Sequence, residues 1–167
     1  MSVSLAYVDP TADRSTFYRG YARFLQTPPG RWIAMNIAPR VDPWMLRHSN
    51  GRVGMGLVLT SALLESTGAK SGAPRACTVL YFHDGADVIL IASSYGREAH
   101  PAWYHNLVTH PDCALGGERF RAALVTDAVD SERLWTLANG IYSGYDGYRE
   151  RAGAAGRTIP QLRLIAQ

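Results

Sequence analysis

The 167-residue chain has the length of one domain, and hydrophobic residues, at 47%, are numerous enough to bury a single core. This composition excludes intrinsic disorder as the general state of the chain. The net charge is +3 and only 19% of the residues are charged, which excludes a polybasic nucleic-acid binder. The two cysteines have no CxxC spacing, so buried free thiols are favoured over a disulfide framework or a zinc site.

The excess positive charge lies at the N-terminal end of the chain. Residues 1–56 contain seven arginines and three aspartates, whereas the rest of the chain is close to neutral. The first residues lack the basic and apolar regions of a secretory signal, and no apolar stretch is long enough to span a membrane. We therefore expect a cytoplasmic protein.

Aromatic residues at helical spacing predict an amphipathic helix in this basic segment. The arginines lie largely outside the aromatic stripe, which consists of Phe17, Tyr18, Tyr21, Phe24 and Leu25. Packing of the stripe on the core is favoured. The alternative is a lid or a weak attachment to an anionic membrane surface, peripheral at its inner face. A second short helix is predicted to start at Asp42 and to end at Asn50-Gly51.

Three strands are predicted in the middle of the chain, at residues 57–67, 75–83 and 88–93. Asp84-Gly85 predicts a type I′ hairpin between the second and the third. We expect the three strands to form a meander.

The remaining elements are predicted from hydrophobic periodicity and turn residues. They are a helix over 100–108 with Pro101 in its first turn, a hairpin of strands 113–115 and 119–126, a helix over 130–141 and a strand over 162–166. The expected fold class is α+β, a small mixed sheet or barrel with flanking helices.

The loop at residues 68–72 combines the features of an anion-binding site. Its glycines free backbone N–H groups, while Lys70 supplies an ammonium and Ser71 a hydroxyl. Arg75, three residues after Gly72, adds a second cation. The spacing and the following helix of a Walker loop are both missing. An ordinary solvent-exposed turn is the alternative.

Small residues at 93–96 precede the helix that contains Trp103 and Tyr104. Backbone donors at a helix start and two aromatic rings suit a planar ligand, whereas the alternative is a capped helix with a core tryptophan.

A third cluster offers phenolic donors to an aromatic or carbonyl substrate, or else packs at the surface. It is a set of tyrosines spaced by three in a glycine-containing turn: Tyr142, Tyr145 and Tyr148.

Familiar catalytic motifs are missing from the sequence. The five histidines form no HExxH pair, and neither GxSxG nor GxGxxG is found. Metalloprotease, serine hydrolase and Rossmann functions are therefore excluded. No metal site is expected, and nothing near Cys77 supports a nucleophilic role.

In combination, four ordered motifs resemble the deazaflavin-dependent nitroreductase family. They lie at residues 67–75, 80–85, 92–94 with 100–107, and 142–148 with 157–160. The resemblance implies a split β-barrel of the flavin-reductase type that binds the reduced deazaflavin coenzyme F-420. It divides the chain into a variable helical N-terminal segment, 1–56, and a split β-barrel deazaflavin-binding domain, 57–167.

The resemblance also implies roles for individual residues. The loop that grips the phosphate and carboxylate tail of the coenzyme corresponds to Lys70, Ser71, Gly72 and Arg75. Contacts to the ring and its linker correspond to Ser93, Ser94, Ala102, Trp103, Tyr104 and Asn106. The substrate side corresponds to Tyr142, Tyr145 and Tyr148. The catalytic candidates, for stabilising negative charge on the reduced product, are Tyr145 and Ser93.

Two positions depart from the family pattern. The commoner GRKSG is GAKSG here, so Ala69 removes one cation from the tail loop. Lys-Gly-Gly after the strand-end serine is replaced by Ser94-Tyr95-Gly96, which alters the contacts at the edge of the ring.

The expected activity is hydride transfer from reduced F-420 to an electron-poor acceptor: a quinone, a conjugated enone or enoate, or a nitroaromatic. A barrel that binds FMN or a tetrapyrrole is the first alternative, and a small β-barrel module for nucleic acid is the second. We expect a monomer whose partner is a small-molecule acceptor, with no nucleic-acid partner and at most a weak contact to a membrane surface.

Overall fold

The computed structural model describes residues 5–37, 40–41, 44 and 59–167. This part of the chain contains a 3₁₀ turn, Ser94–Gly96, together with the following helices and strands. In chain order these are α1 (Thr16–Gln26), α2 (Pro28–Asn36), β1 (Ser61–Thr67), β2 (Pro74–Leu80), β3 (Phe82–Asp84), β4 (Asp87–Ile91), α3 (Ala102–Thr109), β5 (Asp112–Leu115), β6 (Glu118–Leu124), α4 (Ala128–Ile141), α5 (Tyr145–Ala154) and β7 (Gln161–Ala166).

The strands form one antiparallel sheet in the order β2-β1-β5-β6-β7-β4-β3. Its two edges, β2 and β3, are consecutive in the chain and are separated by Tyr81 alone. The sheet must therefore curl until its edges approach each other, which gives a half-closed barrel. This arrangement confirms the α+β class and the split-barrel architecture.

The strand predicted at 75–83 is two strands in the structure, so the simple meander is wrong. At the break, the buried Tyr81 donates its hydroxyl to the carbonyl oxygen of Ala6 over 2.8 Å. The following hairpin has Gly85 and Ala86 in its loop, because Asp84 pairs with Asp87. Only Gly85 has a positive φ, of 64°, whereas a type I′ turn needs two such residues, so that prediction is wrong as well.

The core is built from the sheet and from α4. Val88, Ile89 and Leu90 are consecutive and almost fully buried, so both faces of β4 are covered. Helix α4 contributes Leu134 and Ala138, which are fully buried. The predicted helix over 130–141 is therefore confirmed.

The N-terminal segment contains the predicted amphipathic helix and a second helix that the sequence analysis missed. Tyr18 and Ala22 are the buried residues of α1, whereas Phe17 is 73% exposed, so the aromatic stripe is only partly the packed face. The Pro-Pro-Gly sequence that suggests a turn opens α2 instead, with Thr27 as its cap. Of the helix predicted to start at Asp42, only Trp44 is described, and the domain boundary at residue 56 lies outside the described residues too.

Candidate active site

A cavity of about 380 Å³ lies where the N-terminal helices meet the sheet, α3 and α5. This volume is within the usual range for small-molecule sites. Several of the predicted site residues line it together: Ser93, Ser94, Trp103, Tyr142, Tyr145 and Tyr148. Further lining residues were missed by the sequence analysis: Tyr21, Leu25, Ile33, Ala34, Thr78, Tyr95 and Arg97.

The three tyrosines are brought together by the junction between α4 and α5. Tyr142 caps the C-terminal end of α4, while Tyr145 and Tyr148 lie one turn apart at the start of α5, so the predicted irregular turn is largely helical. The Tyr142 and Tyr148 hydroxyl oxygens are 3.3 Å apart, and the ring of Tyr145 meets both other rings edge to face. Substitution of any one ring therefore alters the surroundings of the other two.

These phenols are hydrogen-bond donors at neutral pH. Burial, reinforced by the neighbouring phenols, raises the pKa of Tyr145 and of Tyr148 well above the ordinary tyrosine value. Burial also raises the pKa of Tyr142. Among the residues that the structure describes, the Tyr145 hydroxyl has no hydrogen-bond partner, which leaves its proton available to a ligand in the cavity.

The turn after β4 forms a strained part of the cavity wall. Ser94 and Tyr95 have φ angles of 48° and 57°, in the left-handed region that non-glycine residues rarely adopt. Such residues cost about 1–3 kcal/mol each and occur where the surroundings fix the backbone, often at functional sites. Tyr95 also donates its hydroxyl to the carbonyl oxygen of Ala34 over 2.7 Å, which ties the turn to α2.

The predicted anion loop lies at the far end of the β1–β2 hairpin from the cavity. Ser61 and Leu80 pair at the cavity end, and Thr67 and Pro74 pair at the loop end, about 20 Å away at 3.3 Å per strand residue. Two backbone hydrogen bonds, from Gly68 to Ala73 and from Gly72 to Gly68, close the loop. Its four predicted ligand residues are exposed: Lys70, Ser71, Gly72 and Arg75.

Helix α3 connects the cavity to the loop. Trp103 lines the cavity, and one turn later the buried Asn106 accepts a hydrogen bond from the backbone N–H of Ala69 over 2.9 Å. The Asn106 amide also donates to the Ser66 hydroxyl over 3.2 Å. Asn106 therefore positions the loop, and its predicted direct contact with the coenzyme stays a prediction.

Two other predicted contacts on α3 lie outside the cavity wall. Ala102 is exposed, and the ring of Tyr104 packs against the ring of His100 with a centroid distance of 4.7 Å. Their contact with a coenzyme also stays a prediction.

A protein-family model described as "F420H(2)-dependent quinone reductase" matches residues 38–162. The chain belongs to this family. It is 31% identical over 145 residues to an F420H(2)-dependent quinone reductase of Mycobacterium tuberculosis, and the alignment covers 80% of this chain and 95% of the relative. Membership confirms the resemblance to deazaflavin-dependent enzymes, their reductase class and F-420 as the coenzyme of the family.

Two solved structures resemble the quinone reductase fold of this chain. One is an F420-H2 dependent reductase, 27% identical, with a TM-score of 0.53 over 62% of this chain and 92% of that one. The other, described as a domain-swapped dimer, is 23% identical, with a TM-score of 0.56 over 81% and 98% of the two chains, and it shows the fold alone.

The site has the form that a ring with a long anionic tail requires. Trp103 and the tyrosines offer flat apolar surfaces to a ring. Arg75 lies about 10 Å along β2 from Thr78 of the cavity wall, and Lys70 lies in the loop just before β2. In the loop, a Cβ on Gly68 would lie 2.7 Å from the Ser71 hydroxyl oxygen and 3.2 Å from the carbonyl oxygen of Ala73, so a larger residue would displace the Ser71 side chain and crowd the loop backbone. The described residues contain no cluster of His, Cys, Asp or Glu that could hold a metal ion, and none of their helices is both long and apolar enough to cross a membrane.

Proposed function

We propose that this chain binds reduced F-420 with its ring in the cavity and its tail at the 68–75 loop, and reduces a quinone. The observation that carries the proposal is the placement of an aromatic cavity and a cationic loop at opposite ends of one hairpin, in a chain of the quinone reductase family. When bound, the coenzyme supplies the hydride.

The residues of the cavity would orient the two reactants and stabilise the negative charge that hydride transfer creates. Trp103 offers a flat surface to the ring, and Lys70 and Arg75 hold the tail by charge-assisted hydrogen bonds. A quinone that accepts a hydride gains negative charge on its oxygen and then needs a proton. The Tyr145 hydroxyl is proposed to donate a hydrogen bond that stabilises this charge, and Ser93 is the second candidate on the same cavity wall. The proton itself comes from solvent water.

The choice of acceptor is tested with three compounds. Reduced F-420 is mixed with menadione, cyclohexenone or a nitroimidazole, and the return of oxidised coenzyme is followed by its fluorescence. We expect turnover with menadione, and turnover with the other two would extend the proposed acceptors to enones and nitroaromatics. Binding of FMN but not of F-420 in a parallel titration would contradict the proposal.

Two substitutions test the assigned roles. Lys70→Ala removes a cation from the tail site and should weaken coenzyme binding about tenfold with little change in kcat, as expected for the loss of one charge-assisted contact. Tyr145→Phe should mainly lower kcat. Arg119→Ala, which removes an exposed cation on β6, is the control. The opposite pattern for Lys70 and Tyr145 would reverse the assignment.

We further propose that the N-terminal helices make weak contact with anionic lipid. Phe17 and Trp32 are 73% and 60% exposed, and residues 14–41 contain five arginines and no acidic residue. Such a surface combines aromatic anchors with charge attraction to lipid headgroups. Cosedimentation with phosphatidylglycerol vesicles, and its absence with phosphatidylcholine, tests this contact.

Light scattering in the absence of lipid tests the expected monomer, and fractionation of cells tests the expected cytoplasmic location.

A further inference from the structure

Arg157 makes a set of contacts that the proposed function does not use. Its side chain is buried, with the residue only 8% exposed, and it lies just before β7. Nε donates to the carbonyl oxygen of Arg97 over 2.7 Å, and Nη2 donates to that of Ser93 over 2.6 Å. Nη1 donates to the carbonyl oxygen of Ala92 over 3.2 Å and lies 3.0 Å from Nδ1 of His100. All these acceptors belong to the segment 92–100.

These contacts hold the backbone of segment 92–100 in place and do not pair the guanidinium with a negative charge. Among the described residues, Arg157 forms no ion pair with any carboxylate. Removing a guanidinium from water costs several kcal/mol unless polar groups replace the solvent, and here backbone carbonyls do so. A planar fork of five N–H donors can reach acceptors along a curved segment, which a lysine ammonium cannot.

The segment that Arg157 holds is the strained wall of the cavity. Ser93 and Arg97, whose carbonyls accept from Arg157, flank the left-handed residues Ser94 and Tyr95, and all four line the cavity. Two consecutive left-handed residues relax unless neighbouring contacts fix them. Arg157 supplies two of those contacts and does not itself line the cavity.

We propose that Arg157 is a positioning residue of the reductase, which holds the ring-facing turn 93–97 in its strained form through its backbone carbonyls and neutral His100. This inference rests on the proposed function, because the turn matters to the reaction only if the ring lies in the cavity.

His100 makes the contact sensitive to acid. Because a guanidinium only donates, Nδ1 of His100 must be an unprotonated acceptor. The groups around His100 are Arg157, the ring of His105 at 5.9 Å and the ring of Tyr104 at 4.7 Å. Burial, together with Arg157 and His105, lowers the pKa of His100 below its ordinary value. The contact is thus intact at neutral pH, and protonation at lower pH replaces it with repulsion between two cations.

The first test measures the affinity for oxidised F-420 by fluorescence quenching. Arg157→Lys and Arg157→Gln should both raise Kd about tenfold or more, since two or more hydrogen bonds to the turn are lost. The lysine variant should give no rescue although it keeps the charge. Arg149→Gln, which breaks a surface ion pair with Glu132, is the matched control and should leave Kd unchanged. Equal affinity of Arg157→Lys and the wild type would overturn the proposal.

The second test uses pH. The coenzyme affinity of the wild type should be constant near neutral pH and should fall only below the ordinary histidine pKa of about 6.5. In His100→Asn the side-chain amide keeps an acceptor near the place of Nδ1 but does not titrate, so this loss of affinity in acid should disappear. An unchanged loss of affinity in acid in His100→Asn would contradict the role of His100. If the Arg157 variants do not fold, this variant decides the proposal.

The third test needs no coenzyme. Hydrogen exchange of the Gly96 and Arg97 amides, which bond to Ser93 and Ser94, should be faster in Arg157→Lys and unchanged in Arg149→Gln. Failure of the wild type to bind F-420 would refute the proposed function. Binding by the wild type together with unaltered exchange in Arg157→Lys would refute only the positioning role.

Discussion

Glycine at position 96 is required both by its backbone angle and by its neighbour. Its φ is 76°, and a Cβ at this position would lie 2.8 Å from the carbonyl oxygen of Tyr148. Neither the positive φ nor the close approach to a backbone oxygen can be relieved by rotation of a side chain. The strained turn and α5 are therefore packed together through a backbone-to-backbone approach that only glycine permits.

Gly96→Ala should lower the free energy of unfolding by about 1–3 kcal/mol, measured by urea denaturation, because the new methyl group meets rigid backbone in a left-handed conformation. The control is Gly153→Ala in α5, where a Cβ meets nothing within 4 Å. Because alanine favours the helix more than glycine does, Gly153→Ala should raise the free energy of unfolding by up to about 1 kcal/mol. Equal effects of the two substitutions would show that the approach to Tyr148 is not restrictive.

The two cysteines are expected to be poor nucleophiles. Burial raises the pKa of Cys77 to about 12, and burial with the nearby Asp112 raises that of Cys113 to about 11. Very little thiolate is therefore present at neutral pH. Ellman's reagent at pH 8 should label the folded protein slowly and both thiols rapidly in urea. Rapid labelling of one thiol before unfolding would reveal an activated cysteine.

At the scale of elements, an ion-pair network joins the β3–β4 hairpin to α4 and β7. Asp84 accepts from Arg133 with both carboxylate oxygens, at 2.8 and 2.7 Å, and from Arg163 at 3.0 Å. Asp130 of α4 pairs with the same two arginines. Hydrogen bonds from Arg133, with a smaller contribution from Arg163, hold the pKa of Asp84 below its ordinary value.

A carboxylate with a lowered folded-state pKa stabilises the protein above its unfolded pKa of about 4 and loses that contribution as the pH falls. Asp84→Asn should therefore lower the free energy of unfolding by about 1–2 kcal/mol at pH 7 and by much less at pH 3. The expected loss is smaller than for a buried ion pair because Arg133 is half exposed to solvent. Asp112→Asn, which breaks an exposed pair with Arg121, should change stability little at either pH. A pH-independent deficit in Asp84→Asn would contradict this account.

The elements themselves were largely predictable because most have strong local signals. The apolar period of α4 and the Gly116-Gly117 turn define their elements without tertiary information. Helix α2 was missed because Pro28-Pro29-Gly30 suggests a turn, whereas proline fits the first turn of a helix that Thr27 caps. The break at Tyr81 has no local signal, since it depends on where the two edges of the sheet meet.

The candidate site was predictable in its parts but not in its distances. Sequence motifs identified the cationic loop, Trp103 and the tyrosines, and the structure places the last two in one cavity. The separation of the loop from that cavity depends on the β1–β2 register, and the inclusion of Tyr21 and Ala34 depends on how α1 and α2 dock. Both are long-range properties that a single sequence does not encode in local patterns.

At the scale of the whole molecule, one buried hydrogen bond attaches α1 to the end of α4. The Tyr18 hydroxyl donates to the carbonyl oxygen of Ile141 over 2.6 Å, beside the first of the three site tyrosines. Loss of this bond leaves the carbonyl without that partner, so Tyr18→Phe should lower the free energy of unfolding by about 1–2 kcal/mol in urea denaturation.

The control for Tyr18→Phe is Tyr7→Phe, because Tyr7 is 67% exposed. It should have almost no effect on the free energy of unfolding. Equal stability of the Tyr18 variant and the wild type would mean that α1 docks through its apolar contacts alone.

The meeting of the two sheet edges at Tyr81 also affects how far these edges are open to another chain. An uncovered edge strand is a template on which another chain can add hydrogen bonds and aggregate. Here β2 ends at the residue before Tyr81 and β3 begins at the residue after it, so the two edge strands meet at Tyr81. Along the β3 edge, Val8 exchanges hydrogen bonds with His83. The N-terminal strip around Val8 thus covers that edge, and its removal by a protease should expose backbone groups of β3 on which another chain could add a strand.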